Sequence, residues 1–200
     1  MSKKLYFHYG AMNAGKSAML LQTRHNYRER HMDVLVYIPK IAEREKNNAV
    51  VSRVGIEAEA RPIGPDFDIF QDTQHFLKQK NISAILVDEA QFLSKAQVFQ
   101  LLKITLELDL PVLTYGLRSD FRGEAFEGSK YLLLWADSLV EIKTICHCGR
   151  KATMTIRVSK DTSPVKDGNQ IEVGDNSTYI AVCHRHFLSE TAIPFPTEVI

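Results

Sequence analysis

Unbroken apolar runs, rather than alternating ones, set the rhythm of the first two thirds of this chain. Leu5-Tyr6-Phe7-His8-Tyr9 comes first, and Val34-Leu35-Val36-Tyr37-Ile38 ends at Pro39. Ile82-Ser83-Ala84-Ile85-Leu86-Val87 follows, and then Val112-Leu113-Thr114-Tyr115-Gly116, preceded by Pro111. Short apolar runs bounded by turn residues predict strands buried on both faces, as in a parallel sheet. Helices are expected between them: from the glycine-rich stretch after Tyr9 to about Arg30, from Asp68 to Lys80 with apolar residues at 69, 70, 76 and 77, and from Ser94 to Leu108. Residues 40–53 are polar and irregular and predict a mobile loop, and Val54 to Ala60 predicts one more strand. The order β-α-β-(β)-α-β-α-β predicts a doubly wound α/β sheet, whose ligands sit at the carboxyl ends of the strands.

After about Lys143 the pattern changes to cysteines, short β-prone runs and a polar, turn-rich stretch from Ser159 to Asn176. The expected organisation is an α/β domain over 1–143, a small subdomain over 144–191 and a tail over 192–200. The chain shows no internal repeat and no low-complexity segment. Two hundred residues suffice for one α/β core with an appendage. A net charge of +1 without a long basic run argues against broad binding to nucleic acid. Met1-Ser2-Lys3-Lys4 lacks the apolar region of a signal peptide, and the apolar cluster Tyr131–Ala136 is too short to span a bilayer. A cytoplasmic protein without membrane attachment is the expectation.

The chemistry begins at Gly10-Ala11-Met12-Asn13-Ala14-Gly15-Lys16-Ser17, which satisfies G-x-x-x-x-G-K-[ST] between a strand and a helix. The glycines let successive N–H groups point at one anion, and the helix N-terminus adds partial positive charge. Lys16 is placed to reach the β- and γ-phosphates of ATP, and the Ser17 hydroxyl to bind Mg²⁺. Asp88-Glu89 closes an apolar strand, so Asp88 is a second candidate for Mg²⁺ and Glu89 a candidate general base. The pair leaves open whether water or a substrate hydroxyl is activated. Cys146-His147-Cys148 and Cys183-His184-Arg185-His186 offer two close groups of soft or borderline ligands. Cys146, Cys148, Cys183 and His186 are the expected structural Zn²⁺ set, with His147 and His184 as alternatives.

Further motifs resemble a known family. Ile85-Leu86-Val87-Asp88-Glu89-Ala90-Gln91-Phe92 and Tyr115-Gly116-Leu117-Arg118-Ser119-Asp120-Phe121-Arg122-Gly123-Glu124-Ala125-Phe126 resemble the cytosolic, zinc-containing (type II) thymidine kinases, in the same order as the phosphate loop and the Cys/His pairs. Ala-Met-Asn-Ala-Gly-Lys-Ser looks most like the bacterial branch. The resemblance spans about residues 4–188 and implies a P-loop (RecA-like), mostly parallel α/β sheet with a small C-terminal zinc-binding subdomain. It implies transfer of the γ-phosphoryl group of ATP to the 5′-hydroxyl of thymidine, with Glu89 as base, Asp88 on Mg²⁺, and Ala90 and Gln91 bordering the ATP site. It also implies a homotetramer and feedback inhibition by dTTP. Thymine wants aromatic and apolar walls, which Phe92, Phe121, Phe126, Met12 and Leu117 can supply. The loop from Ser159 to about Thr178 corresponds to a lasso over the nucleoside, with Val173 and Tyr179 against base and sugar. Arg44 and Arg53 lie where the family brings cations to the phosphates, and a solvated surface role stays open for both. The family commonly separates its first cysteine pair by two residues, where this chain has one.

Two other readings compete. A P-loop ATPase of the motor or helicase kind shares Asp-Glu-Ala-Gln, but a helicase normally pairs two such domains. A zinc-ribbon nucleic-acid module would need basic residues interleaved with aromatics beyond Arg150, Lys151 and Arg157.

Overall fold

A computed structural model describes residues 3–42, 49–51, 57–159, 164–165, 167–170 and 178–189. The phosphate loop joins β1 (Leu5–Gly10) to α1 (Lys16–Arg28), and β2 (Asp33–Pro39) follows. Then come β3 (Ala49–Val51), β4 (Glu57–Glu59), β5 (Arg61–Ile63) and α2 (Ile69–Leu77). Next are β6 (Ile82–Val87), α3 (Lys95–Glu107), β7 (Val112–Leu117), α4 (Glu127–Trp135) and β8 (Ser138–Glu141). The remainder holds β9 (Thr144–Ile145), β10 (Lys151–Ala152), β11 (Met154–Val158), β12 (Pro164–Val165), β13 (Thr178–Val182) and α5 (His184–Leu188).

The central sheet runs β5-β2-β6-β7-β1-β8, and every pairing in it is parallel. The inner strands β2, β6, β7 and β1 are covered by helices on both sides of the sheet. Leu35 and Tyr37 of β2 pack with Ile69, Val98, Leu101 and Leu132 under α2, α3 and α4. The alternate residues Val36 and Ile38 pack with Leu20 and Leu21 of α1 on the opposite side. This two-sided burial is what the unbroken apolar runs encode.

Ser94 and Gln97 close a capping box at the start of α3, and Asp68 caps α2. Beyond the strands and helices expected from the pattern, β5, α4 and β8 complete the layer structure. β5 has three residues including Pro62, and β8 lies at the other edge with no fully buried residue. Neither therefore carries the signature of a buried strand. The apolar cluster at 131–136 is the C-terminal half of α4 and its cap, whose N-cap Phe126 makes no side-chain capping bond. Of Val54–Ala60, residues 57–59 form β4, which pairs antiparallel outside the central sheet with β3, a strand inside the 40–53 stretch where a loop is expected. Among the described residues, no helix is long and apolar enough to cross a membrane.

The C-terminal part forms two small antiparallel sheets, β10-β9 and β12-β11-β13. Their core joins Cys146, Ala152, Met154, Ile156, Ile180, Val182 and Cys183 with Ala11 of the phosphate loop. The small sheets are thus packed directly on the loop that follows β1.

Candidate active site

The phosphate loop takes its shape from backbone that side chains rarely adopt. Asn13 and Gly15 have φ of 61° and 84°, and a Cβ on Gly10 would sit 2.6 Å from the Ile142 carbonyl oxygen. α1 starts without a side-chain cap and without an acidic residue in its first turn, so no side chain of its own takes up the amide donors that face the loop. The Lys16 ammonium donates to the Ala11 carbonyl at 2.9 Å, inside the loop. The Met12 N–H donates to the Thr155 hydroxyl of β11 at 3.2 Å, a second tie between the loop and the small sheet.

β7 lies between β1 and β6, yet the loop and the end of β6 meet. Asp88 is 3% exposed and hydrogen-bonds the Ser17 side chain. Burial, with the Glu89 charge beside it, pushes the Asp88 carboxyl well above the ordinary carboxylate range. The Ser17 hydroxyl, the Glu89 backbone and the Lys16 ammonium pull it back. A buried carboxylate and a hydroxyl in contact are the hard oxygen donors that Mg²⁺ takes. Glu89 has φ of 48°, a left-handed conformation unusual for a residue with a side chain. It leads into a 3₁₀ turn at Ala90–Phe92, where Ala90 is fully buried and Gln91 is 1% exposed. The Gln91 amide donates to Glu89 Oε2 at 2.5 Å and accepts the Leu117 N–H at 3.0 Å.

The expected apolar walls converge near the ends of β6 and β7. Phe92 and Phe126 meet edge-to-face with ring centroids 5.5 Å apart, and Leu117, Phe121 and Phe126 are buried. Phe121 lies between two cations, with the Arg157 guanidinium 4.4 Å and that of Arg122 5.8 Å from its ring. Arg157 on β11 pairs in register with Tyr179 on β13, which brings Tyr179 to the same region. Val173, Arg44 and Arg53 lie outside the described residues, as does most of the 159–178 loop.

Three residues absent from the sequence-derived site tie its parts together. Asp120 accepts the backbone N–H of Arg122 and of Glu124, each at 2.9 Å, and the Gln170 amide at 3.0 Å. Thr155 holds Met12, and Arg157 donates to the Asp167 carbonyl at 3.0 Å. Asp120 had a local signal, an Asp opening the turn-like Asp-Phe-Arg-Gly. Thr155 and Arg157 had none, because their partners are distant in sequence.

Cys146, Cys148, Cys183 and His186 come together with all four ligand atoms within 4.8 Å of one another. Tetrahedral zinc sets sulfur–sulfur and sulfur–nitrogen separations of about 3.8 and 3.5 Å. Cys148 and Cys183 Sγ lie 3.9 Å apart, and His186 Nδ1 lies 3.2 Å from Cys146 Sγ and 3.6 Å from Cys183 Sγ. The one-residue spacing of Cys146 and Cys148 therefore closes a four-ligand cluster. His147 stacks on His186 at 4.2 Å, and His184 turns toward the Thr153 hydroxyl at 3.5 Å. The His186 backbone N–H draws the Cys183 thiol toward its ionised form, and burial holds the His186 imidazole toward its neutral form. Both are the forms that bind zinc.

Comparison with known proteins points to one family over nearly the whole chain. A family model described as thymidine kinase matches residues 3–187. A thymidine kinase of Coxiella burnetii is 51% identical over 185 residues, 92% of this chain and 94% of its own. That of Pasteurella multocida is 50% identical over 190 residues, covering 95% and 99%. A Legionella pneumophila thymidine kinase (strain Philadelphia 1) is 48% identical over 195 residues, covering 96% and 93%.

Proposed function

The chain belongs to the thymidine kinase family, and from that premise we propose how its residues divide the work of phosphorylating thymidine with ATP. The enzyme is an ATP-dependent nucleoside kinase that forms thymidine 5′-monophosphate. One observation carries the residue assignment: Ser17, Asp88 and Glu89 converge at the N-terminus of α1 although β7 separates their strands.

Gly10 to Ser17 cradle the phosphates through backbone N–H groups, and the Lys16 ammonium neutralises charge on the transferring group. Ser17 and Asp88 would hold Mg²⁺, which when bound offsets phosphate charge. Glu89 accepts the proton of the 5′-hydroxyl as that oxygen attacks phosphorus. Positioning and charge neutralisation supply most of the rate, since phosphoryl transfer asks for little covalent chemistry from the protein. Phe92, Phe121 and Phe126, with Met12 and Leu117, wall the nucleoside, and Tyr179 and Val173 close over it from the lasso. Cys146, Cys148, Cys183 and His186 would hold Zn²⁺, which when bound would fasten β9, β10 and α5 around the small core without taking part in the reaction. The organisation that fits is a nucleotide-binding domain over 1–143, a zinc and lasso subdomain over 144–191 and a tail over 192–200. A homotetramer in the cytoplasm, inhibited by dTTP, completes the reading.

The test is Mg²⁺-ATP turnover with a panel of nucleosides, following ADP and nucleoside monophosphate together. ADP formation that depends on thymidine, with one thymidine 5′-monophosphate per ADP, is expected. ADP released without an acceptor would make Glu89 an activator of water.

A further inference from the structure

We propose that Gln91 is a positioning residue for the reaction: its buried amide fixes the carboxylate of Glu89 at the end of β6. The inference rests on the reading of Glu89 as the base.

The orientation of the amide follows from its two partners. A backbone N–H can only donate and a carboxylate can only accept, so Oε1 must face the Leu117 N–H and the NH₂ must face Glu89. Both ends of the side chain are therefore committed, and at 1% exposure water does not compete for either. The seat for this amide is carved out of the neighbouring backbone. A Cβ on Gly116 would lie 2.7 Å from Gln91 Oε1 and 3.1 Å from its N, so only glycine leaves the amide its place beside β7. On the far side, a Cβ on Gly128 would lie 2.3 Å from the Ala90 carbonyl oxygen and 2.9 Å from that of Gln91. α4 thus clamps the 3₁₀ turn through a glycine contact, and Ser129 anchors α4 to the Leu117 carbonyl.

The purpose of so rigid a seat is read from Glu89 itself. Its left-handed backbone is costly for a residue with a Cβ, and such conformations persist where surrounding contacts over-determine them. The Phe92 N–H on the Glu89 carbonyl holds the main chain, and Gln91 holds the side chain. A base that must meet a hydroxyl in one geometry gains from a carboxylate that cannot rotate away. Asp88 beside it and Gln91 beneath it serve different ends: Asp88 faces Ser17, whereas Gln91 joins Glu89 to the end of β7.

The test is a double-substitution cycle at Gln91 and Glu89. Gln91→Met removes both polar ends at nearly constant length, so Glu89 loses the N–H it receives from the side chain. It should fold and keep the thymidine KM within about twofold, while kcat falls roughly 10–100-fold. In the Glu89→Gln background, which already lacks most turnover, the same substitution should cost less than about twofold more, because the two residues act as a unit. Gln91→Leu, a shorter apolar side chain, carries the same cycle if Gln91→Met does not fold. Parental kcat in a folded Gln91 variant, or losses that add fully in the double variant, would overturn the positioning role and leave the base assignment standing. Parental turnover in Glu89→Gln would instead remove the base assignment, and this inference with it.

Discussion

Gln170 and Asp120 are joined by a 3.0 Å hydrogen bond that links the segment between the zinc-ligand pairs to the loop carrying Phe121. Asp120 also holds its own turn through the Arg122 and Glu124 N–H groups and the Arg122 guanidinium. One buried carboxylate thus joins the segment at Gln170 to the loop carrying Phe121. Asp120→Ala would leave two backbone donors without their acceptor, at a cost of roughly 2–3 kcal/mol in stability. Its thymidine KM should rise about 10-fold with little change in ATP affinity. Thermal unfolding and a two-substrate kinetic grid measure both, and an ATP KM that rises equally would sink the local assignment.

Lys16→Ala removes the ammonium that sits in the phosphate loop 2.9 Å from the Ala11 carbonyl. The expected loss in kcat is about 100-fold or more, the scale for one electrostatic contact to a transferring group. The loss should be the same for every acceptor nucleoside, because the residue serves ATP. Acceptor-dependent losses would place Lys16 elsewhere.

Gly128→Ala drives a methyl group against the Ala90 carbonyl oxygen, 2.3 Å away, where backbone rather than a flexible side chain must yield. A destabilisation of roughly 3 kcal/mol is expected from such overpacking. Urea unfolding of the purified variant reads it directly, and a shift within experimental scatter would contradict the contact.

Removal of zinc should loosen more than the small sheets. Ala11 belongs to the same core as Cys146 and Cys183, and Thr155 of β11 holds the Met12 N–H. Cys183→Ser is expected to lower the melting temperature by roughly 10 °C, for about 3–5 kcal/mol at the 2–4 °C per kcal/mol typical of this size. Kinase activity should fall with zinc content, measured by metal analysis of the same samples. Full activity in a zinc-free sample would separate the cluster from the phosphate loop.

His8 provides a pH-dependent contribution to stability. It stacks on Tyr115 at 4.6 Å, and its Nδ1 is buried with no hydrogen-bond partner among the described residues. Burial lowers its pKa below the ordinary 6.5, against a smaller upward pull from the Thr114 backbone. The unfolded chain therefore binds the proton more readily than the native one. This contribution is present above pH 6.5 and is lost as the pH falls through the lowered native value. Urea midpoints from pH 7.5 to 5 should fall less steeply for His8→Phe than for the parent, and equal slopes would exclude the residue.

Much of the fold was legible in the sequence because a parallel sheet covered on both faces needs apolar residues at every position, and Val34–Ile38 and Ile82–Val87 carry that signature. The β5 and β8 edges were not, since partly exposed strands of three and four residues look like loops. The short spacing of Cys146 and Cys148 left the zinc set open between histidines, and only their arrangement beside α5 brings His186 rather than His184 to the sulfurs.

By itself the sequence determined the phosphate loop, the acidic strand end and the Cys/His pairs. Each depends on residues close along the chain, whose spacing already fixes their local geometry. Tertiary structure alone decided that Ser17 meets Asp88, that Gln91 reaches Leu117, and that Arg157 lies over Phe121. Those pairs are made by strand order and by the packing of the small sheets on the large one. The side chains are ordinary in composition and acquire their partners only when the intervening chain is folded away between them.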